Sequence, residues 1–323
     1  MPLALHPEVA ANYGPALEAL AAAPKLAPHE VESVRANLDM MINSIATAIP
    51  VNPNIQTTTY EALSFDGYIV KITRLAVTKT RLATPGPAVL YIHGGGYIHG
   101  DAMTWTRFIQ NYIHETGIPF YSVEYRLAPE HPFPAAIEDL YAALKWLHGH
   151  AEELGVDTAR IATFGQSAGG GLAAALGIMM RDHGILPPLA KQILIYPALD
   201  DRNTTPRPAL DHLTFWPTEW NSIAWTAYLG ADKVGGSADD VSPHAAPARV
   251  ANFAGLPKTY MDIGGLDIFR DECIAFAAGI AGADIDIEMH IYPGLPHGFD
   301  VGIEPSGPAK KAAENRIAAL RSI

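Results

Sequence analysis

The chain has 323 residues, 49% of them hydrophobic, and a formal net charge of −12 at pH 7. That length fits one large α/β domain carrying an insertion, while the negative charge, with no Lys/Arg cluster to offset it, argues against nucleic acid, whose phosphates it would repel. The single cysteine, Cys273, excludes an intrachain disulfide, leaves a thiolate zinc cluster without ligands, and reads as a helix core residue. The opening Met1-Pro2-Leu3-Ala4-Leu5-His6-Pro7-Glu8 lacks the basic start and unbroken apolar run of a secretory signal. Nowhere do about 18 apolar residues run together, so the expectation is a soluble, cytoplasmic protein with no membrane span.

Residues 1 to 50 read as amphipathic helices. Pro15 to Ala23 is alanine-rich, and His29 to Ala46 places Val31, Val34, Leu38, Met41 and Ile45 on one helical face. So short a region cannot build its own core, so these helices are expected to lie over the rest of the chain. Thr57 to Ser64 and Tyr68 to Val77 are rich in β-formers and flank Asp66-Gly67, which predicts an antiparallel hairpin. After Pro85-Gly86-Pro87 the texture changes. Apolar runs at Ala88 to Ile92, Phe120 to Glu124, Ile161 to Phe164, Gln192 to Tyr196, Thr259 to Ile263 and Asp286 to Tyr292 are separated by helical stretches. Such alternation predicts parallel strands joined by crossover helices, in a sheet covered on both faces.

The first of these strands runs into His93-Gly94-Gly95-Gly96-Tyr97. Successive glycines let backbone N–H groups approach a ligand, which suits an oxyanion hole. A flexible loop or a phosphate cradle is the alternative, although neither Gly-x-Gly-x-x-Gly nor Gly-x-x-x-x-Gly-Lys-Ser/Thr occurs here. The strand Ile161 to Phe164 stops at Gly165-Gln166-Ser167-Ala168-Gly169-Gly170-Gly171, which reads as strand, sharp turn, helix. A serine at such a turn projects its hydroxyl alone, and the N–H of Ala168, at the helix start, would complete the donor set. Read alone, the same residues would equally make a Ser-capped, glycine-rich helix start.

Between Tyr196 and Thr259 there is more chain than one crossover helix needs, which predicts an insertion over the sheet. It carries Phe215, Trp216, Trp220, Trp225 and Tyr228. Tyr97, Trp216 and Trp220 are candidates to shorten a substrate pocket, with ordinary packing as the alternative. The last two strands each lead into a charged or basic residue: Gly264-Gly265-Leu266-Asp267, then Pro293-Gly294-Leu295-Pro296-His297-Gly298-Phe299. Ser167, Asp267 and His297 thus occur in the order nucleophile, acid, base, each just past a predicted strand. Asp262 within a strand, Asp271 and Glu272 at a helix start, and Asp300 beyond the histidine are poorer acids for the role.

With these motifs, together with Tyr125-Arg126-Leu127-Ala128-Pro129-Glu130 and Arg270-Asp271-Glu272, the sequence resembles the hormone-sensitive-lipase-like esterases of the α/β-hydrolase fold over residues 60 to 320. The resemblance implies an eight-stranded, mostly parallel sheet flanked by helices, with a helical cap. Its cap helices would be residues 1–50, its cap insertion 201–240, and its catalytic domain 51–200 and 241–323. It also implies hydrolysis of short- to medium-chain carboxylic esters, without cofactor or metal. Catalysis would fall to Ser167, Asp267 and His297, with Gly94, Gly95 and Ala168 as the oxyanion hole. Many relatives carry an acidic residue where Gln166 and Gly265 stand, which tunes the surroundings of Ser167 and Asp267. A lactone or amide would use the same groups, and a non-catalytic, receptor-like hydrolase fold is a further alternative. The partner is a small-molecule ester, and an edge strand or cap helix could support a homodimer.

Overall fold

A computed structural model describes residues 3–78, 84–237, 240–302 and 306–323; residues 1–2, and 238–239 of the expected insertion, lie outside the described residues. Two helices, α1 (Pro7–Ala22) and α2 (Val31–Ala48), open the chain, followed by β1 (Ile55–Leu63), β2 (Ile69–Val77), β3 (Gly86–Ile92), α3 (Ala102–Thr116), β4 (Phe120–Glu124), α4 (Ala135–Gly149) and the short α5 (Ala151–Leu154). Then come β5 (Val156–Gln166), α6 (Ala168–Asp182), β6 (Lys191–Ile195), α7 (Pro208–Asp211) and α8 (Thr218–Leu229). A 3-10 turn at Pro247–Arg249, β7 (Thr259–Gly264), α9 (Arg270–Gly282), β8 (Ile287–Tyr292) and α10 (Gly307–Arg321) complete the described elements.

The strands form one eight-stranded sheet in the order β1-β2-β4-β3-β5-β6-β7-β8. β1 and β2 pair antiparallel, β2 joins β4 antiparallel, and every later pairing is parallel. The hairpin closes at Asp66-Gly67, where the Ser64 N–H donates to the Tyr68 carbonyl at 2.8 Å. β5, at the sheet centre, buries Ile161, Ala162 and Phe164 completely, as expected of a strand covered on both faces. α6 behind it is buried all round from Ala168 to Met180, which explains a composition of glycine, alanine and apolar residues with no polar face. Among the described residues no helix is long and apolar enough to cross a membrane.

Two boundaries differ from the sequence expectation by more than two residues. α1 does not start at Pro15 but runs through it from Pro7, because Val9 and Leu17 bury one stripe on either side of the proline and tertiary packing outweighs the local cost. β5 begins at Val156, earlier than Ile161, where the polar Asp157, Thr158 and Arg160 hide the strand from an apolar-run reading.

α1, α2 and α8 meet above the C-terminal ends of the parallel strands. The Leu26 N–H donates to Glu219 Oε1 of α8 at 2.8 Å, and Tyr13 of α1 meets Phe215 edge-on at 5.9 Å. Arg35 of α2 donates to the Ile98 and Ala128 carbonyls, at 2.7 and 2.8 Å, and pairs with Glu130. The Tyr125 to Glu130 motif therefore serves as an anchor: Glu130 holds α2, while Arg126 joins Asp139 and Asp66.

Candidate active site

Ser167 occupies the turn between β5 and α6 with φ 56 and ψ −122, a conformation that costs a non-glycine residue about 1–3 kcal/mol. The surrounding backbone holds it there. Its N–H donates to the Ile195 carbonyl at 2.9 Å, and its own carbonyl accepts from Gly171 and Ala198 at 3.0 and 3.1 Å. A Cβ on Gly165 would stand 2.1 Å from the Gly169 carbonyl oxygen, so the first glycine is required by the turn itself. A Cβ on Gly169 would meet the Ile92 carbonyl oxygen at 2.2 Å, so the second is required by the end of β3.

The Ser167 hydroxyl lies 2.9 Å from His297 Nε2, and His297 Nδ1 lies 2.6 Å from Asp267 Oδ2. A carboxylate beside Nδ1 keeps the proton on that nitrogen and leaves Nε2 to accept from the serine hydroxyl. Asp267 is fully buried and His297 is 7% exposed. The other Asp267 oxygen accepts from the Phe269 N–H at 2.9 Å, inside its own turn. It does not cap α9, whose cap position is Phe269. The imidazole is held edge-on by Tyr196 at 4.8 Å and Phe269 at 5.0 Å. The poorer acids are engaged elsewhere. Asp262 binds Arg316, Asp271 binds Arg207 and Arg270, and Glu272 accepts from the Leu199 N–H and the Asn203 amide. Burial drives the Glu272 carboxyl well above the usual carboxylate range.

The glycine loop passes directly over the serine turn: a Cβ on Gly94 would stand 3.4 Å from Ser167 Cβ. Ala168 opens α6, so its N–H has no carbonyl one turn earlier to bind. His93 fastens the loop. Its Nδ1–H donates to the Gly94 carbonyl at 2.7 Å, Tyr125 Oη donates to the His93 carbonyl at 2.8 Å, and the two rings stack at 4.3 Å. Burial lowers the His93 pKa to about 4, which keeps it neutral.

Above Ser167 lies a cavity of about 190 Å³, lined by Leu38, Met41, Ile42 and Ile45 from α2, by Tyr13 and Ala16 from α1, and by Phe215, Trp216 and Val301. Trp216 thus lines the cavity, whereas Tyr97 and Trp220 do not. Tyr97 donates its hydroxyl to the Ala198 carbonyl at 3.0 Å and stacks on Tyr228 at 4.4 Å, below the loop. Trp220 stands behind Trp216, edge-on at 6.0 Å. Both are packing residues.

A buried polar chain beneath the histidine was not foreseen. Gln166 accepts from Tyr91 Oη at 2.7 Å and donates to Tyr196 Oη at 3.4 Å; Tyr196 donates to Asp300 at 2.7 Å, and Arg316 of α10 joins Asp300 to Asp262. The signal for Arg316 is its position: it falls on the buried stripe of α10 formed by Ala309, Ala312, Ala319 and Leu320, where only a paired cation can sit.

A family model described as alpha/beta hydrolase fold matches residues 89–301. "Esterase LipI" of Mycobacterium tuberculosis is 37% identical over 250 residues, which cover 73% of this chain and 73% of that protein. "Ethyl acetate hydrolase" of Pseudomonas putida is 28% identical over 299 residues, covering 92% of each chain. Among solved structures, one titled "Bacterial Heroin Esterase" superposes with a TM-score of 0.85 at 37% identity, covering 98% of this chain and 97% of that one. On the strength of the matched model and these relatives, the chain belongs to the α/β-hydrolase family, in its hormone-sensitive-lipase-like esterase branch.

Proposed function

We propose that this carboxylic ester hydrolase works through Ser167 as nucleophile, His297 as general base and Asp267 as the acid that orients it. As the Ser167 hydroxyl attacks the ester carbonyl, its proton passes to His297 Nε2, and Asp267 stabilises the imidazolium. The N–H groups of Gly94, Gly95 and Ala168 receive the oxyanion. Collapse of the tetrahedral intermediate expels the alcohol, which takes the proton from His297, and water then repeats the cycle on the acyl-enzyme. The observation that carries this reading is the unbroken hydrogen-bonded series from the Ser167 hydroxyl to His297 to Asp267 at the floor of an apolar cavity.

The cavity volume of about 190 Å³ lies below the roughly 300–1,000 Å³ that encloses a drug-sized ligand, which favours short- to medium-chain acyl groups. Residues 1–50 and 201–240 act as the cap on the catalytic portion, 51–200 and 241–323. The working compartment on this reading is the cytoplasm, and an edge strand of the sheet, β1 or β8, or a cap helix is the surface a homodimer would use. The test is a p-nitrophenyl ester series from acetate to palmitate on the wild type and on Ser167→Ala. Turnover that is greatest on the shorter esters and abolished by the substitution is expected. Failure of the wild type on every chain length, or retained turnover by Ser167→Ala, would overturn the proposal.

A further inference from the structure

Trp216 reaches the cavity wall from the segment between α7 and α8, and its ring is seated on several sides. Gly96 of the glycine loop lies against the indole: a Cβ there would stand 2.3 Å from Trp216 Cη2. Trp220 stands edge-on behind it at 6.0 Å, and Thr214 Oγ1 accepts from the Trp216 backbone N–H at 3.3 Å. Apolar contacts are non-directional, so the tilt of the ring is set at its polar edge. There the indole Nε1–H donates to Asn221 Oδ1 of α8 at 3.2 Å. An indole N–H can only donate, so it faces the amide oxygen, and Asn221 Nδ2 is left to donate to the Asn203 carbonyl at 2.8 Å, in the loop after β6. Both ends of the amide are engaged, which fixes its orientation.

The polar series continues to the turn of the catalytic acid. Asn203 Nδ2 donates to the Ile268 carbonyl at 3.0 Å and to Glu272 Oε2 at 2.8 Å, while Glu272 Oε1 accepts from the Leu199 N–H at 2.7 Å. Ile268 follows Asp267 directly. The ring in the cavity wall and the acid that orients His297 are thus tied to one buried framework. Asn221 is 2% exposed and is not among the described residues that line the cavity. Replacing its amide by an apolar group would leave the indole N–H and the Asn203 carbonyl without their partners.

We propose that Asn221 is a positioning residue for substrate selection: it holds the Trp216 indole in the cavity wall and so sets how long a chain the enzyme accepts, without touching the substrate itself. With that bond gone the indole is free to tilt, and a longer chain displaces it at lower cost. Trp216 makes the contact; Asn221, backed by Asn203 and Glu272, fixes where the contact lies. This rests on the serine esterase reading above.

The test reads the long-to-short ratio of kcat/KM: p-nitrophenyl octanoate against butyrate for the acyl side, and octyl against butyl acetate for the alcohol side. Trp216→Ala identifies the side on which the ring limits chain length. On that side Asn221→Leu, which offers the indole N–H no acceptor, is expected to raise the ratio about five-fold, the worth of one hydrogen bond. In the Trp216→Ala background the same substitution is expected to change the ratio by less than about two-fold, because no ring is left to hold. A merely structural role for Asn221 would give the same effect in both backgrounds. Asn203→Ala, which frees the loop without touching α8, is expected to raise the ratio in the same direction and by less. Wild-type ratios in Asn221→Leu would overturn the proposal, and should that variant not fold, wild-type ratios in Asn203→Ala would do so. Equal effects of Asn221→Leu with and without Trp216, or wild-type ratios on both sides in Trp216→Ala, would overturn it as well. Any of these results, with the wild type hydrolysing the short esters, leaves the esterase reading standing; no wild-type turnover of any of these esters would overturn both.

Discussion

At the scale of single residues, the chemistry depends on which nitrogen of each histidine carries its proton. Asp267 sets this for His297 by standing 2.6 Å from Nδ1. In Asp267→Asn the amide can donate to Nδ1, so the tautomer inverts and Nε2 no longer accepts from Ser167. A fall in kcat of about 10⁴-fold is expected, with the fold unchanged; a fall of less than about ten-fold would show that Asp267 does not orient the base. His93 makes a different prediction. Its folded pKa of about 4 lies below the ~6.5 of an exposed imidazole, so the unfolded chain takes up the proton first as the pH falls. The contribution of neutral His93 is fully present above ~6.5 and is lost between about 6.5 and 4, to an extent of about 3 kcal/mol. Urea unfolding of the wild type should therefore lose more stability than His93→Phe on going from about pH 7 to about pH 4.5. Equal losses in the two proteins would contradict a buried neutral His93.

These residues differ in how visible they are in the sequence. Ser167, Asp267 and His297 are legible because each lies on a loop just after an apolar run, in motifs whose glycines have a steric reason. Tyr97 and Trp220 are not. An aromatic beside a catalytic loop reads the same whether it faces the cavity or the core, and only the Ala198 carbonyl and the Trp216 ring decide the matter.

At the scale of elements, α10 and the segment between β6 and α8 do what neither local pattern announces. α10 carries Arg316 into the core, where it is fully buried and joins Asp262 of β7 to Asp300 just beyond His297. Arg316→Met would leave the buried Asp262 carboxylate and the part-buried Asp300 without their cation, at a cost of about 3–5 kcal/mol. Chemical denaturation should show this loss, and acidification should restore part of it as the carboxylates take up protons. A variant as stable as the wild type at neutral pH would contradict the pairing. Such a bridge escapes sequence reading because its partners are far apart in the chain and meet only when the sheet closes. The segment between β6 and α8 places Trp216 over the cavity. Trp216→Ala should shift preference toward longer acyl chains, raising the octanoate-to-butyrate ratio of kcat/KM by about ten-fold or more. An unchanged ratio would mean that Trp216 does not limit the acyl site.

At the scale of the whole molecule, the order of the strands brings the distant motifs together. β3, β5, β7 and β8 are parallel, so the loops after all four emerge at one end of the sheet, which is where open α/β sheets bind ligands. That much follows from the alternation of apolar runs and helices, and the eight strands fall close to where the sequence puts them. What closes the cavity was less legible. The stripe of Leu38, Met41 and Ile45 shows that α2 lies over something, but not that it lies over Ser167; that is decided by Arg35 reaching the Ile98 and Ala128 carbonyls and Glu130. The central claim is that all these parts serve one nucleophile. The most direct test is to react the protein with a fluorophosphonate and locate the adduct by mass spectrometry of its peptides. The account predicts a single adduct on Ser167, formed with loss of ester hydrolysis and absent from Ser167→Ala. A protein that is folded and hydrolytically active yet labelled at another residue, or not at all, would contradict it.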